Sequence, residues 1–161
     1  MKPRSMQPAV VDSSNTNDGI RPVKSDSPTF TFPVRVYWED TDAGGVVYHA
    51  RYLHFLERAR TEWLRAAGFG QQRLRDEAGI VFVVHHMELS FNAPARLDDM
   101  LIATVTPGVL RSASFTVAQN LTCAPDVKPL LQAQVRIACL DAARFRPCPI
   151  PDYLLQEIAK T

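Results

Sequence analysis

Val36-Tyr37-Trp38-Glu39-Asp40-Thr41-Asp42-Ala43-Gly44-Gly45-Val46-Val47-Tyr48-His49 marks the point where an extended apolar run gives way to a helix. Upstream, Phe32 to Trp38 alternates, with Val34 and Val36 opposing Arg35 and Tyr37, and reads as a first strand. Downstream, Tyr48 to Ala67 reads as a helix. There Tyr52, Leu53, Leu56, Ala59, Trp63, Leu64 and Ala67 recur at spacings of three and four and form an apolar stripe. Gly68 is suited to cap its C-terminus. Between strand and helix lie Glu39, Asp40, Asp42 and the Gly44-Gly45 pair. Such a junction sets carboxylates and exposed backbone beside a helix N-terminus, whose unpaired N–H groups and partial positive charge suit an oxygen that gains negative charge. The combination suits acyl transfer or hydrolysis.

Beyond the helix, a short helix is expected around Gln71 to Glu77, stopped by Gly79. The second half reads as β. Val81, Val83, Met87, Leu89 and Phe91 mark one face of a strand, and Asp99 to Thr106 forms another. Phe115, Val117 and Leu121 alternate with Thr116 and Asn120, and Leu131 to Cys139 alternates with Gln132, Gln134 and Arg136. Turn signals at 92–99, Pro107-Gly108 and 125–129 separate these runs. A final short helix is expected over 151–159. One long helix followed by strands in antiparallel order gives an α+β class with the sheet wrapped on the helix. Periodicity alone does not separate this from other α+β arrangements.

The 161 residues fit one domain. Residues 1–30, rich in Ser, Asp, Asn and Pro, offer little apolar surface and are expected to be a disordered N-terminal tail. A net charge of +1 argues against nucleic acid as a partner. Cys123, Cys139 and Cys148 are odd in number and lack CxxC spacing, so they read as reduced thiols. No apolar run approaches the ~18 residues of a membrane span, and Pro3, Arg4, Ser5 and Gln7 interrupt any signal-peptide core. A cytoplasmic location is the expectation.

Asp42 is the leading candidate for chemistry. A carboxylate there attacks an acyl carbonyl or holds a water as general base; the competing reading is an Asx turn or loop cap. Asp40 either supports that site, since residues two apart on an extended segment share a face, or bonds backbone N–H groups. Gly44 and Gly45 let the backbone bend or approach a ligand. Glu57, Arg58, Arg60 and Glu62 pair along the helix as Glu57/Arg60 and Arg58/Glu62, a structural or interfacial cluster. His85 and His86 face opposite ways on a strand and do not make a metal site; no metal is expected.

The run Val34 to Arg65 contains Glu39-Asp40-Thr41-Asp42-Ala43-Gly44-Gly45-Val46-Val47-Tyr48-His49, Tyr52-Leu53 and Glu57-Arg58-Ala59-Arg60-Thr61-Glu62. With Phe91-Asn92-Ala93-Pro94-Ala95-Arg96-Leu97-Asp98-Asp99, it resembles the hotdog-fold acyl-CoA thioesterases. Within them it is similar to the YbgC subfamily, relatives of 4-hydroxybenzoyl-CoA thioesterase. The resemblance covers residues 32–160 and implies a hotdog domain over 31–161, an antiparallel five-stranded sheet wrapped around one long central helix. It implies an acyl-CoA substrate, no cofactor, and a homo-oligomer, either a dimer or a dimer of dimers. A transient membrane or acyl-carrier-protein association goes with the subfamily's link to the Tol-Pal envelope system. It makes Asp42 the match to the family's catalytic aspartate and assigns the backbone N–H of His49 to carbonyl polarisation. Gly44, Gly45 and Tyr48 then line the substrate, and Arg111, the basic residue near the 107–116 hairpin, is the candidate for CoA phosphates. The alternatives are a hotdog protein that only binds acyl-CoA or acyl-carrier protein, a dehydratase of the same fold, and a small α+β binding module.

Overall fold

The structure, a computed structural model, describes residues 21–22, 29–124 and 129–160. The elements run β1 (Arg21–Pro22), β2 (Phe30–Arg35), a 3-10 turn (Trp38–Asp40), α1 (Arg51–Ala66) and α2 (Gln71–Glu77). They continue with β3 (Ile80–Phe91), β4 (Met100–Leu110), β5 (Ser114–Cys123), β6 (Leu131–Asp141) and α3 (Asp152–Ile158). The strands form one antiparallel sheet in the order β2-β4-β5-β6-β3, and the two residues of β1 pair with Leu110 and Val109 at the far end of β4. The first long strand thus begins at Phe30, not Phe32. Most of the expected tail, and residues 125–128 of the last turn signal, lie outside the described residues.

Strict alternation along β4, β5 and β6 gives the sheet one apolar face, with Leu101, Ala103, Val105, Phe115, Val117, Leu121, Leu131, Val135 and Cys139 buried. Helix α1 lies on that face. Trp63 meets the ring of Phe115 at 6.0 Å, and Tyr52 meets Phe91 at 5.6 Å, so the helix spans the sheet from β5 to the end of β3. Its buried stripe is Tyr52, Phe55, Leu56, Ala59, Arg60, Trp63 and Leu64. Leu53, expected in the stripe, is exposed, and Phe55 replaces it at full burial. A stripe through 52, 56, 59 and 63 is flanked by 55 at the i+3 position, whereas 53 lies a further 100° round. Burying a Phe of this kind contributes about 1.5–3 kcal/mol.

Helix α1 starts at Arg51 and not Tyr48. The Tyr48 carbonyl accepts the N–H of Arg51 at 2.8 Å, a tight turn that precedes the regular ladder. At the other end, Gly68 N–H bonds the Arg65 carbonyl and Phe69 N–H the Leu64 carbonyl, with Gly68 at φ +89, a Schellman cap.

Strand β3 carries a bulge that corrects the expected face. Between Val84 and His86 its register against β6 shifts by one residue. Met87, Leu89 and Phe91 oppose Val135, Ala133 and Leu131, while beyond the bulge Val84 and Phe82 oppose Ile137 and Cys139. Directly opposed residues share a face, so Phe82, and not Val81 or Val83, points inward; its ring meets Phe115 at 5.2 Å. The extra residue removes the simple opposition of His85 and His86: both are exposed, and His86 Nε2 lies 3.2 Å from Glu88 Oε1.

Candidate active site

The loop from Val36 to Ala50 is tied down at both edges. Val36 N–H donates to the Asp99 carbonyl and Asp98 N–H to the Val36 carbonyl, which docks the loop's start on the turn before β4. Val47 N–H donates to the carbonyl of buried Ala95 at 2.8 Å, and Ala95 N–H donates to Tyr52 Oη at 2.8 Å. The segment around Ala95 therefore clamps the loop to the first turn of α1. Burial pushes the Tyr52 phenol above its ordinary pKa, against the opposing pull of the Ala95 N–H.

Inside this frame the two aspartates part company. Asp40 is buried at 2% exposure. Its Oδ2 accepts Tyr37 N–H at 2.9 Å, its Oδ1 accepts Arg51 Nε at 2.9 Å, and its carbonyl accepts Tyr48 N–H. Arg51 also reaches Glu39 at 3.3 Å. Asp40 thus fixes the 3-10 turn and ties it to the first residue of α1. Residues 38–40 coil and are not extended, so Asp40 and Asp42 do not share a face. That corrects the expectation of a common face and leaves Asp40 with the backbone-bonding reading.

Asp42 is exposed. Its N–H donates to the Val46 carbonyl, its carbonyl accepts Gly45 N–H, and its Oδ1 accepts Gly44 N–H at 2.8 Å. The last contact is an Asx turn, so the structural reading of Asp42 holds for one carboxylate oxygen. Among the described residues, Oδ2 has no hydrogen-bond partner. Gly45 sits at φ +70, where a side chain would strain the turn, and a Cβ on Gly44 would stand 3.0 Å from Asp42 Oδ1. Trp38, Thr41, Asp42, Ala43, Gly45 and Leu97 line an open depression.

His49 follows two residues after Val47 and two before α1 begins. Among the described residues its N–H forms no hydrogen bond, and its exposed ring lies 4.4 Å from that of Tyr48. Gly44, Gly45, Tyr48 and His49 therefore share one loop with Asp42. Arg111 does not join them. It stands beyond Leu110, at the opposite end of β4 from Met100, about 30 Å along the strand at 3.3 Å per residue. Among the described residues, no three His, Cys, Asp or Glu side chains gather where they could hold a metal, and no helix is long and apolar enough to cross a membrane.

Sequence reasoning missed three residues that hold the site and its helix in place. Arg51 and Tyr52 are the helix side of the clamp, and a basic residue at the start of the helix that follows an acidic cluster was the available signal. The third is Gln119, fully buried on β5, which accepts Arg60 Nη1 at 2.7 Å and donates to the Leu56 carbonyl at 3.1 Å. Arg60 is accordingly a buried residue bonded to the sheet, not a member of a surface pair. Glu57 accepts Thr61 Oγ1 and Glu62 pairs with Arg65. Desolvation pulls the Arg60 guanidinium below its ordinary pKa, against the field of Glu57.

Helix α1 thus lies on one face of an antiparallel sheet, with an acidic loop feeding its N-terminus. The family model of the thioesterase-like superfamily matches residues 36–158. An acyl-CoA thioesterase YbgC of Haemophilus influenzae is 46% identical over 76% of this chain and 88% of its own length. An acyl-CoA thioester hydrolase YbgC of Escherichia coli is 45% identical over 80% of this chain and 94% of its own. Among solved structures, a probable thioesterase of Bartonella henselae superposes with a TM-score of 0.73 at 38% identity, over 77% of this chain and all of that one. A 1,4-dihydroxy-2-naphthoyl-CoA thioesterase of Synechocystis gives a TM-score of 0.75 at 26% identity, over 81% and 96%. The chain belongs to the thioesterase-like superfamily. It has the hotdog fold and is a thioesterase, an enzyme of thioester hydrolysis.

Proposed function

We propose that the enzyme hydrolyses acyl-CoA to a free acid and CoA, with Asp42 as nucleophile or general base and the His49 N–H polarising the carbonyl. The observation that carries this is the Asp42 carboxylate itself. Gly44 N–H orients one oxygen while the other stays open, in the loop that delivers an unbonded N–H to the head of α1. An orienting bond to one oxygen leaves the second free to attack carbon or to take a proton from water. As the thioester carbonyl becomes tetrahedral, its oxygen gains charge that an N–H at a helix N-terminus stabilises. Gly44 and Gly45 keep the backbone low enough for a thioester to approach, and Tyr48 edges the acyl group.

The substrate class follows from the relatives, two of which act on acyl-CoA and one on an aromatic acyl-CoA by their descriptions. Arg111 lies too far along β4 to meet, within one chain, a thioester held at Asp42. Its part in binding CoA phosphates requires a second copy, and we read the working form as a homodimer or dimer of dimers. The test is a panel of aliphatic and aromatic acyl-CoAs with free CoA thiol as the readout. Release from at least one member supports hydrolysis. Tight binding with no release from any member favours the non-catalytic binding reading.

A further inference from the structure

Cys139 lies near the end of β6 and is fully buried; Cys148 lies on the segment that returns beside it and is partly exposed. The return is antiparallel. Asp141 N–H donates to the Arg146 carbonyl at 2.9 Å, Cys148 N–H donates to the Cys139 carbonyl at 3.0 Å, and Leu140 faces Pro147. The two cysteines are therefore directly opposed on one face, and their sulfurs stand 3.7 Å apart. Opposed residues have Cβ atoms ~4.5–5.5 Å apart, close to the ~3.5–4.5 Å that a disulfide spans. The turn between them is fixed by Asp141, whose Oδ1 accepts the N–H groups of Ala143 and Arg144. The thiols differ in surroundings. Burial, then the contact with Cys148, pushes the Cys139 thiol up to about 12, so it stays protonated, and Cys148 is the sulfur that solvent reaches.

We propose that Cys139 and Cys148 form a reversible modification site, at which a hydroperoxide converts the dithiol to an intramolecular disulfide. The Cys148 sulfur attacks a peroxide oxygen and the O–O bond breaks, giving a Cys148 sulfenic acid and water or an alcohol. The Cys139 sulfur then attacks the Cys148 sulfur, the S–O bond breaks, and the Cys139 proton leaves with that oxygen as water. Two thiols are oxidised and one peroxide is reduced. The pair sits beneath the β4–β5 hairpin: Cys139 N–H donates to the Ala113 carbonyl at 2.9 Å, and Ile150 N–H to the Ser112 carbonyl at 2.7 Å. A bond between the sulfurs closes the 139–148 loop and stiffens the seat of the hairpin that carries Arg111, so the oxidised form melts at a higher temperature than the reduced one.

The full chain is treated with hydrogen peroxide, quenched by alkylation and denatured. The expected result is a fall from three titratable thiols to one, an intact mass lower by two hydrogens, and a proteolytic peptide pair joined through Cys139 and Cys148, all reversed by dithiothreitol. Cys148→Ser abolishes the bridge and Cys123→Ser leaves it; Cys139→Ala is the second variant should Cys148→Ser fold poorly. Three outcomes overturn the proposal. The thiol count stays at three under peroxide that consumes free cysteine, the bridge runs through Cys123, or Cys148 proceeds to sulfinic acid while Cys139 remains a thiol.

Discussion

Asp40 and Asp42 are two residues apart and chemically identical, yet their surroundings give them opposite work. Asp40 has both oxygens occupied, by Tyr37 N–H and Arg51 Nε, and is sealed from solvent. Asp42 spends one oxygen on Gly44 N–H and offers the other. Asp42→Asn keeps the size and removes the charge that either mechanism needs, so kcat should fall by at least ~100-fold, within the ~10²–10⁴ span of positioned acid–base groups. KM should stay near its starting value, because the acyl and pantetheine contacts lie elsewhere; steady-state kinetics separate the two. Asp40→Asn should show the reverse balance: a milder loss of rate, with a drop in stability of about 1–2 kcal/mol from weakened bonds to Arg51 and Tyr37, read by urea unfolding. Full activity in both variants would sink the carboxylate mechanism. A third aspartate gives a pH signature. Asp141 accepts the N–H of Arg144, then of Ala143, and its pKa is lowered from 3.8. A depressed folded pKa contributes stability that is complete above the unfolded value and is lost as pH falls through the folded one. The Tm gap between the native chain and Asp141→Asn should therefore be constant near neutrality and close below about pH 4; a gap that widens in acid contradicts the assignment.

At the scale of elements, α1 is held to the sheet by more than apolar area. Gln119 reaches from β5 to both Arg60 and the Leu56 carbonyl, and removing it strands a buried guanidinium. Gln119→Leu should destabilise by about 2–4 kcal/mol, while the pair Gln119→Leu with Arg60→Met should lose less than the sum of the two single changes. Denaturant curves for the full cycle check this; strict additivity would mean that the two side chains do not work together. Gln119 carries a signal in the sequence, a polar residue in phase with the apolar Phe115, Val117 and Leu121, whereas Arg60 is hidden within a run of helix charges. Much else of the elements was legible. The α2 boundaries, Gln71 and Glu77, fall where the pattern and Gly79 put them, and β5 and β6 follow their alternation because each has one apolar face. Strand β4 does so to Thr106 but then runs through Pro107-Gly108, expected as a turn, to Leu110, with an irregular register between Pro107 and Leu110. Legibility failed where period-2 or period-3.6 counting meets a local event. The bulge after Val84 inverts which half of β3 faces the core, and no residue in Val83-Val84-His85-His86 is a turn former that would flag it. The start of α1 is set by the Tyr48–Arg51 turn and the clamp through Ala95, which depend on residues more than forty positions downstream. Within the site, the loop residues 42–49 could be read as one group; that Arg111 lies apart from them could not, because strand length converts to distance only once the register of β4 is known.

At the scale of the whole molecule, the surface near Asp42 is not that of a finished enzyme. Trp38, which lines the open depression with Asp42, is 78% exposed, and Tyr37 and Tyr48 of the same loop are 62% and 45% exposed. Aromatic groups clustered at this exposure mark a surface that another body covers. On the other side of the sheet's order, β3 pairs with β6 alone among the described residues, which leaves one edge of a twelve-residue strand free to pair again. The second copy proposed above would answer both features: edge pairing would extend the sheet, cover the exposed aromatic groups and give the water-poor setting that strengthens a single N–H against a developing oxyanion. Deleting residues 1–20, which carry few large apolar groups, should leave Tm, rate and oligomeric mass unchanged. Light scattering at micromolar concentration should give a mass twice or four times that of the 18.0 kDa chain. Thioesterase activity per chain should be constant across the concentrations where that assembly persists and fall as dilution dissociates it. A monomer with full activity per chain would refute the shared site and, with it, the requirement that Arg111 act on a substrate held by another copy.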